Sequence, residues 1–176
     1  MNLRLKRTPG IYLVGFMGSG KSTVGRALAD RLGWSFFDID AEIERAESAS
    51  IADIFAQRGE PEFRRIESET ILQRVRLVES GFPAVVAMGG GAFSGAVNRE
   101  VLRERGVTVW LDCPLEVAER RAGRDPNRPL SRDPEEFRAL FESRLPIYAS
   151  AEIHVSSAAD DPAIAVAAIL AHPMMR

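Results

Sequence analysis

A single α/β domain on a largely parallel sheet is the architecture that this chain of 176 residues predicts. Two observations carry that expectation. Short apolar runs recur between longer segments of helical period, the alternation that builds strand–helix–strand units. The first such run, Ile11 to Val14, leads through a glycine-rich loop into an amphipathic helix. The length suffices for one substantial core and is too short for two comfortable domains, so residues 1–176 read as one unit.

The elements follow in order. Ile11 to Val14 is the first strand, and Gly20 to Leu32 is a helix with Val24, Leu28 and Leu32 on one face. Trp34 to Asp38 is the second strand. Ser50 and Asp53 have the spacing of a helix capping box, and Phe63, Ile66, Thr70, Ile71, Val75 and Val78 mark one face of a longer helix. Ala84–Ala87 and Val107–Leu111 read as buried strands, with Glu152–Val155 a weaker fifth. Pro114 begins a helix after the fourth. Residues 123–129 hold two prolines and almost no apolar side chain, which predicts an exposed, mobile loop. Asp133 then caps a further helix with Pro134 in its first turn.

Composition excludes several function classes. Lys and Arg total 23 against 25 Asp and Glu, so there is no electrostatic reason to expect nucleic acid or an anionic membrane as partner. The single cysteine, Cys113, cannot form an internal disulfide or a cysteine-based zinc site; it reads as a core residue in a reducing cytoplasm. The run Ile11–Val14 is too short for a signal-peptide core or a membrane span. Two histidines, His154 and His172, are too few for a histidine metal triad, and neither is given a role. Few apolar residues look exposed, so a monomer is expected.

The sequence GFMGSGKS, residues 15–22, matches G-x-x-x-x-G-K-[ST] at every fixed position, between an apolar strand and an amphipathic helix. Glycines let successive backbone amides turn inward on phosphates, and the helix that follows points its positive end at the same anion. This makes Gly18, Ser19, Gly20, Lys21, Ser22 and Thr23 candidate ATP-binding residues. Lys21 adds a point charge near the β and γ phosphates, and the Ser22 hydroxyl is placed to hold Mg²⁺. A glycine-rich turn with a solvated lysine is the plainer alternative. The loop itself names no reaction, because GTPases, ATPases and kinases share it.

Further along, Asp38-Ile-Asp40 lies at the expected carboxyl end of the second strand, where ligands bind in parallel sheets. In an extended chain, residues two apart face the same way, so both carboxylates are expected to project together. One would support hydrated Mg²⁺ and the other would accept a proton from a hydroxyl; two acidic turn residues are the alternative. Gly89-Gly-Gly91 follows the third apolar run, where missing side chains let a ligand touch the backbone, unless this is a plain turn.

These segments resemble shikimate kinase. The likeness lies in GFMGSGKSTVGRALADRLGWSFFDID, SIADIFAQRGEPEFRRIE, GGGAF with a nearby NRE, RPL and RLPIY, and covers about residues 11 to 155. It departs from the family pattern at Ala87-Met88, before the triple glycine, and at Ser131, after RPL. The resemblance implies a P-loop kinase fold of three αβα layers, with a five-stranded parallel sheet in the order 2-3-1-4-5. The substrate-binding helical region is then about 39–67 and the lid about 123–135. It also implies transfer of the ATP γ-phosphate to the 3-hydroxyl of shikimate, with one Mg²⁺.

Residue by residue, Asp40 corresponds to the aspartate that holds the shikimate hydroxyls and assists deprotonation, and Asp38 to the one linked to Mg²⁺ through water. Arg64 and Arg144 correspond to the pair that binds the shikimate carboxylate, as guanidinium forks suit a planar anion; Arg65 stands equally available beside Arg64. Gly89, Gly90 and Gly91 correspond to the lining of the shikimate pocket. Arg128 resembles the lid arginine that reaches over the ATP phosphates, where a late-closing cation favours the transition state. Arg121 is similar to the residue packed on adenine. A kinase for another small acceptor such as gluconate, and a ligand-binding module without turnover, are the rival readings.

Overall fold

The structure, a computed structural model, describes residues 10–124 and 133–175. Five parallel strands form one sheet in the order β2-β3-β1-β4-β5. They are β1 (Gly10–Val14), β2 (Ser35–Asp38), β3 (Ala84–Ala87), β4 (Val107–Asp112) and β5 (Ile153–Ser156). The described helices are α1 (Lys21–Leu32), α2 (Ile39–Glu47), α3 (Ile51–Arg58), α4 (Glu60–Glu79), α5 (Ala96–Glu104), α6 (Leu115–Ala122), α7 (Pro134–Tyr148) and α8 (Pro162–Ala171). The sheet order is the one the resemblance implies.

The three layers follow from the two-residue period of a strand buried on both faces. From β1, Ile11 and Leu13 join a core with Val24 and Leu28 of α1 and Val166 and Ile169 of α8. Tyr12 and Val14 point the other way, into a core with Phe63, Ile71 and Val75 of α4 and Phe137 of α7. At the edge, β5 buries Ile153 and Val155 and exposes His154 and Ser156.

Helix starts are set largely by local chemistry. Ser50 Oγ accepts from the Asp53 amide at 3.0 Å, as its spacing predicts, and Asp133 Oδ1 accepts from the Glu135 amide at 2.9 Å. Pro114 is the N-cap of α6. Asp161 caps α8 ahead of Pro162, a signal that the apolar pattern alone overlooks. Nor did that pattern anticipate α5, which starts at Gly95 with no side-chain cap.

The strand order sets the site. β1 lies between β3 and β4, so the connection leaving β1 is flanked by that of β3 on one side and that of β4 on the other. This is the point in a parallel sheet where ligands collect.

Tyr12 is fully buried, and its hydroxyl has no hydrogen-bond partner. Burial is also the leading cause raising its phenol pKa. Tyr12→Phe keeps the ring and removes the orphaned group. We expect thermal unfolding of this variant to shift upward by roughly 2–4 °C, a gain of about 1 kcal/mol; a lowered midpoint would mean the hydroxyl is satisfied.

Candidate active site

At the carboxyl end of β1 the chain enters the loop 15–20 and leaves it as α1. Gly18 and Gly20 have φ of 78° and 89°, left-handed values that glycine adopts without a Cβ clash. A Cβ on Gly18 would fall 2.6 Å from the Ala118 carbonyl oxygen, so α6 closes tightly on the loop. No side chain caps α1 and no acidic residue stands in its first turn, which leaves the positive helix end for an anion. Ser19 is buried in the loop. Lys21 Nζ lies across it, donating to the carbonyls of Gly15 at 2.7 Å and Phe16 at 2.9 Å. Phe16 packs edge-on against Phe137 and Phe141 of α7, with centroids 5.1 and 5.2 Å away.

Asp38 and Asp40 are not related as the extended-chain expectation has it. β2 stops at Asp38, which caps α2 by accepting from the Ala41 amide at 3.2 Å, and Asp40 sits in the first helical turn. The two carboxylates therefore take different partners. Asp38 Oδ2 accepts from Ser22 Oγ at 2.6 Å, joining the end of β2 to the start of α1. Asp40 Oδ1 lies beside Gly89.

The triple glycine lies beside the phosphate loop because β3 pairs with β1; the Met88 amide donates to the Leu13 carbonyl at 3.0 Å. A Cβ built on Gly89 would stand 2.6 Å from Asp40 Oδ1, one on Gly90 would stand 3.2 Å from Arg144 Nη1, and one on Gly91 would strike the Arg64 guanidinium. The Gly90 position is also 3.9 Å from the Met17 amide of the loop. Side chains from α2, α4 and α7 thus converge on three residues that have none. Gly91 has φ of −98°, which any residue adopts, so space and not backbone conformation demands glycine there.

The neighbouring arginines Arg64 and Arg65 part company. Arg65, 54% exposed, is turned to solvent and paired with Glu62 at 2.6 Å and Glu69 at 2.7 Å. Arg64, 33% exposed, donates to Glu67 at 2.8 Å and lies 5.2 Å from the Phe63 ring centroid. Glu67 is 1% exposed. Burial pushes its carboxyl pKa up and the Asp40 charge adds to the rise, against the pull of Arg64 and Arg144. Tyr148, one turn beyond Arg144 on α7, donates to the Gly90 carbonyl at 2.5 Å. Its phenol, raised to about 12 chiefly by burial, remains a donor at neutral pH.

On the β4 and β5 side, Arg121 Nη1 donates to the carbonyls of Gly18 at 3.3 Å and Ser157 at 2.9 Å. Its Nη2 donates to Ala159 at 3.0 Å and to Asp160 at 3.1 Å. With Gly20 and the exposed Thr23 it lines a cleft between the phosphate loop and the connection from β5 to α8. Arg128 lies outside the described residues, as does most of the expected lid.

Sequence reasoning missed Glu67, Phe16 and the Tyr148 contact. Glu67 did carry a signal: a carboxylate between Ile66 and Ile71 on the largely apolar face of α4, three residues after Arg64. Phe16 fills a variable position of the motif, so its role is visible only once α7 is packed against it.

The sequence matches the family model for shikimate kinase over residues 17–172. A shikimate kinase from Cereibacter sphaeroides is 47% identical over 88% of this chain and 76% of its own. The solved shikimate kinase from Acinetobacter baumannii, in complex with shikimate, is 40% identical with a TM-score of 0.85, covering 93% of this chain and 91% of that one. A gluconokinase from Sinorhizobium meliloti, 25% identical over 94% of this chain and 91% of its own, has a TM-score of 0.59. Likeness of this extent, in sequence and in backbone alike, means that the chain belongs to the shikimate kinase family.

Proposed function

We propose that this chain transfers the γ-phosphoryl group of ATP to the 3-hydroxyl of shikimate, giving shikimate 3-phosphate and ADP on the route to chorismate and the aromatic amino acids. The observation that carries the reading is the convergence of Asp40, Arg64 and Arg144 on Gly89–Gly91, against the Met17 amide of the phosphate loop. A carboxylate-bearing polyol fits such a cleft. Two guanidinium groups grip its carboxylate, and the glycines let its ring lie against the backbone.

The chemistry follows from these positions. Asp40 accepts the proton as the acceptor oxygen bonds to the γ phosphorus and the bond to the β-phosphate oxygen breaks. Lys21 and the loop amides balance the charge on the phosphates, with Gly18, Ser19, Gly20, Ser22 and Thr23 completing that grip and Arg121 beside the base. Arg128 supplies a further cation over the phosphates and helps exclude water, a competing acceptor. Glu67 acts on the acceptor through Arg64, whose guanidinium it holds in place.

The donor set suits Mg²⁺. Ser22 and Asp38 offer a hydroxyl and a carboxylate 2.6 Å apart, and among the described residues no group of three or more His, Cys, Asp or Glu could hold a metal. An ion held mainly by phosphates and water, with few protein ligands, is the habit of Mg²⁺. When bound, it would neutralise phosphate charge. No described helix is long and apolar enough to cross a membrane; a cytoplasmic monomer of one domain is our reading, supported by the lone buried thiol of Cys113.

An ADP-release assay with shikimate, with gluconate and without acceptor tests the reading. Turnover should require shikimate; turnover only with gluconate, only without acceptor, or in no arm would refute it. Lys21→Ala should lower kcat by about a thousandfold or more. Arg64→Ala should raise the shikimate KM by on the order of a hundredfold, with the ATP KM little changed. For Glu67, a folded pKa held above the ordinary carboxylate range by burial means that ionisation costs the folded state. The unfolding midpoint of Glu67→Gln, measured against the unaltered protein, should therefore gain on it as pH rises through and above the ordinary carboxylate range, whereas a gap independent of pH would show that the carboxyl is not perturbed.

A further inference from the structure

Asp40 and Arg64 stand on different helices, yet both must meet one acceptor. The corner that bears Asp38 and Asp40 is weakly held by its own elements. β2 is a four-residue edge strand whose residues are all partly or fully exposed, and α2 buries only Ile39 and Ile43.

Arg74 of α4 bears on this corner from both sides. Its guanidinium carbon lies 3.5 Å from the centroid of the Phe37 ring, the residue before Asp38. The same guanidinium pairs with Glu42 on α2, two residues after Asp40. Arg74 and Glu42 are 18% and 16% exposed, so this pair is less screened than the solvated arginine pairs such as those of Arg65. Packing alone does not account for the charge. A methionine would cover Phe37 equally well, whereas the arginine leaves its Nε buried without a partner. What the guanidinium adds is a directional link between α4 and α2.

We propose that Arg74, through Glu42 and Phe37, is a positioning residue that sets the distance between Asp40 and Arg64 across the acceptor cleft. The role rests on the acceptor reading given above. Arg64 and Arg74 share one continuous helix, ten residues and about 15 Å apart along its axis. α4 then acts as a ruler: one end holds the anion-binding fork, the other holds the corner that carries the base. Arg74 and Glu42 touch neither the phosphate loop nor Arg121, and on the ATP side the corner keeps its own anchor, the hydrogen bond from Ser22 to Asp38. The defect should appear toward the acceptor and not toward ATP.

The test compares Arg74→Met, Glu42→Gln and their double variant by steady-state kinetics for both substrates, together with unfolding midpoints. Arg74→Met should raise the shikimate KM about tenfold with the ATP KM within about twofold, and the double variant should be no worse than the worse single one. Arg74→Lys, which restores a charge for Glu42, should recover part of the loss. Arg65→Met, on the solvent side of the same helix, should change neither constant. Should Arg74→Met fail to fold, Glu42→Gln carries the same comparison in a nearly isosteric form. A lowered midpoint with both Michaelis constants unchanged, or equal shifts for the two substrates, would overturn the role while leaving the functional reading in place. Absence of shikimate turnover in the unaltered protein would overturn the functional reading and this role with it.

Discussion

The space left open by three adjacent glycines governs this molecule. At Gly89–Gly91 the chain leaves β3 without side chains, and a carboxylate and two guanidinium groups occupy the room so created. Because β3 lies beside β1, that space adjoins the phosphate loop. Strand order then divides the labour along the sheet edge. In the proposed reading, the corner after β2 and the glycines after β3 form the acceptor side, the loop after β1 takes the phosphates, and α6 with the connection after β5 frames the base.

Charge in the cleft is set by pairing working against burial. Glu67, nearly sealed from solvent, sits with Arg64 and within the fields of Arg144 and Asp40. A buried carboxylate in such company is costly on its own, and it is tolerable because guanidinium groups face it. The arrangement keeps Arg64 turned inward while its neighbour Arg65 remains in water. On the opposite flank Arg121 donates to backbone carbonyls of two loops and to Asp160, so it shapes the cleft besides lining it.

Much of this was legible from sequence because it depends on short-range rules. The apolar runs located every strand to within a residue or so, and the Ser50 and Asp133 caps marked the helices they begin. The phosphate loop was legible as a spacing of glycines, a lysine and a hydroxyl. What escaped depended on packing at longer range. Asp40 was expected to share a strand face with Asp38, whereas β2 ends at Asp38 and Asp40 lies in the first turn of α2, beside Gly89. Nothing local distinguishes Arg64 from Arg65; only the orientation of α4 against the glycines does. Glu67 and Phe16 likewise acquire their roles from α4 and α7, elements distant in sequence from the groups they support.

Gly91→Ala isolates the glycine-made space from every other feature, because the backbone there accepts alanine and the group in its path is the end of a flexible side chain. Its affinity for shikimate, read by titration calorimetry beside its affinity for ATP and its unfolding midpoint, is the quantity to determine. Displacement of Arg64 predicts a shikimate affinity lower by about tenfold or more, with ATP binding and stability nearly unchanged. Shikimate binding as tight as that of the unaltered protein would contradict the account.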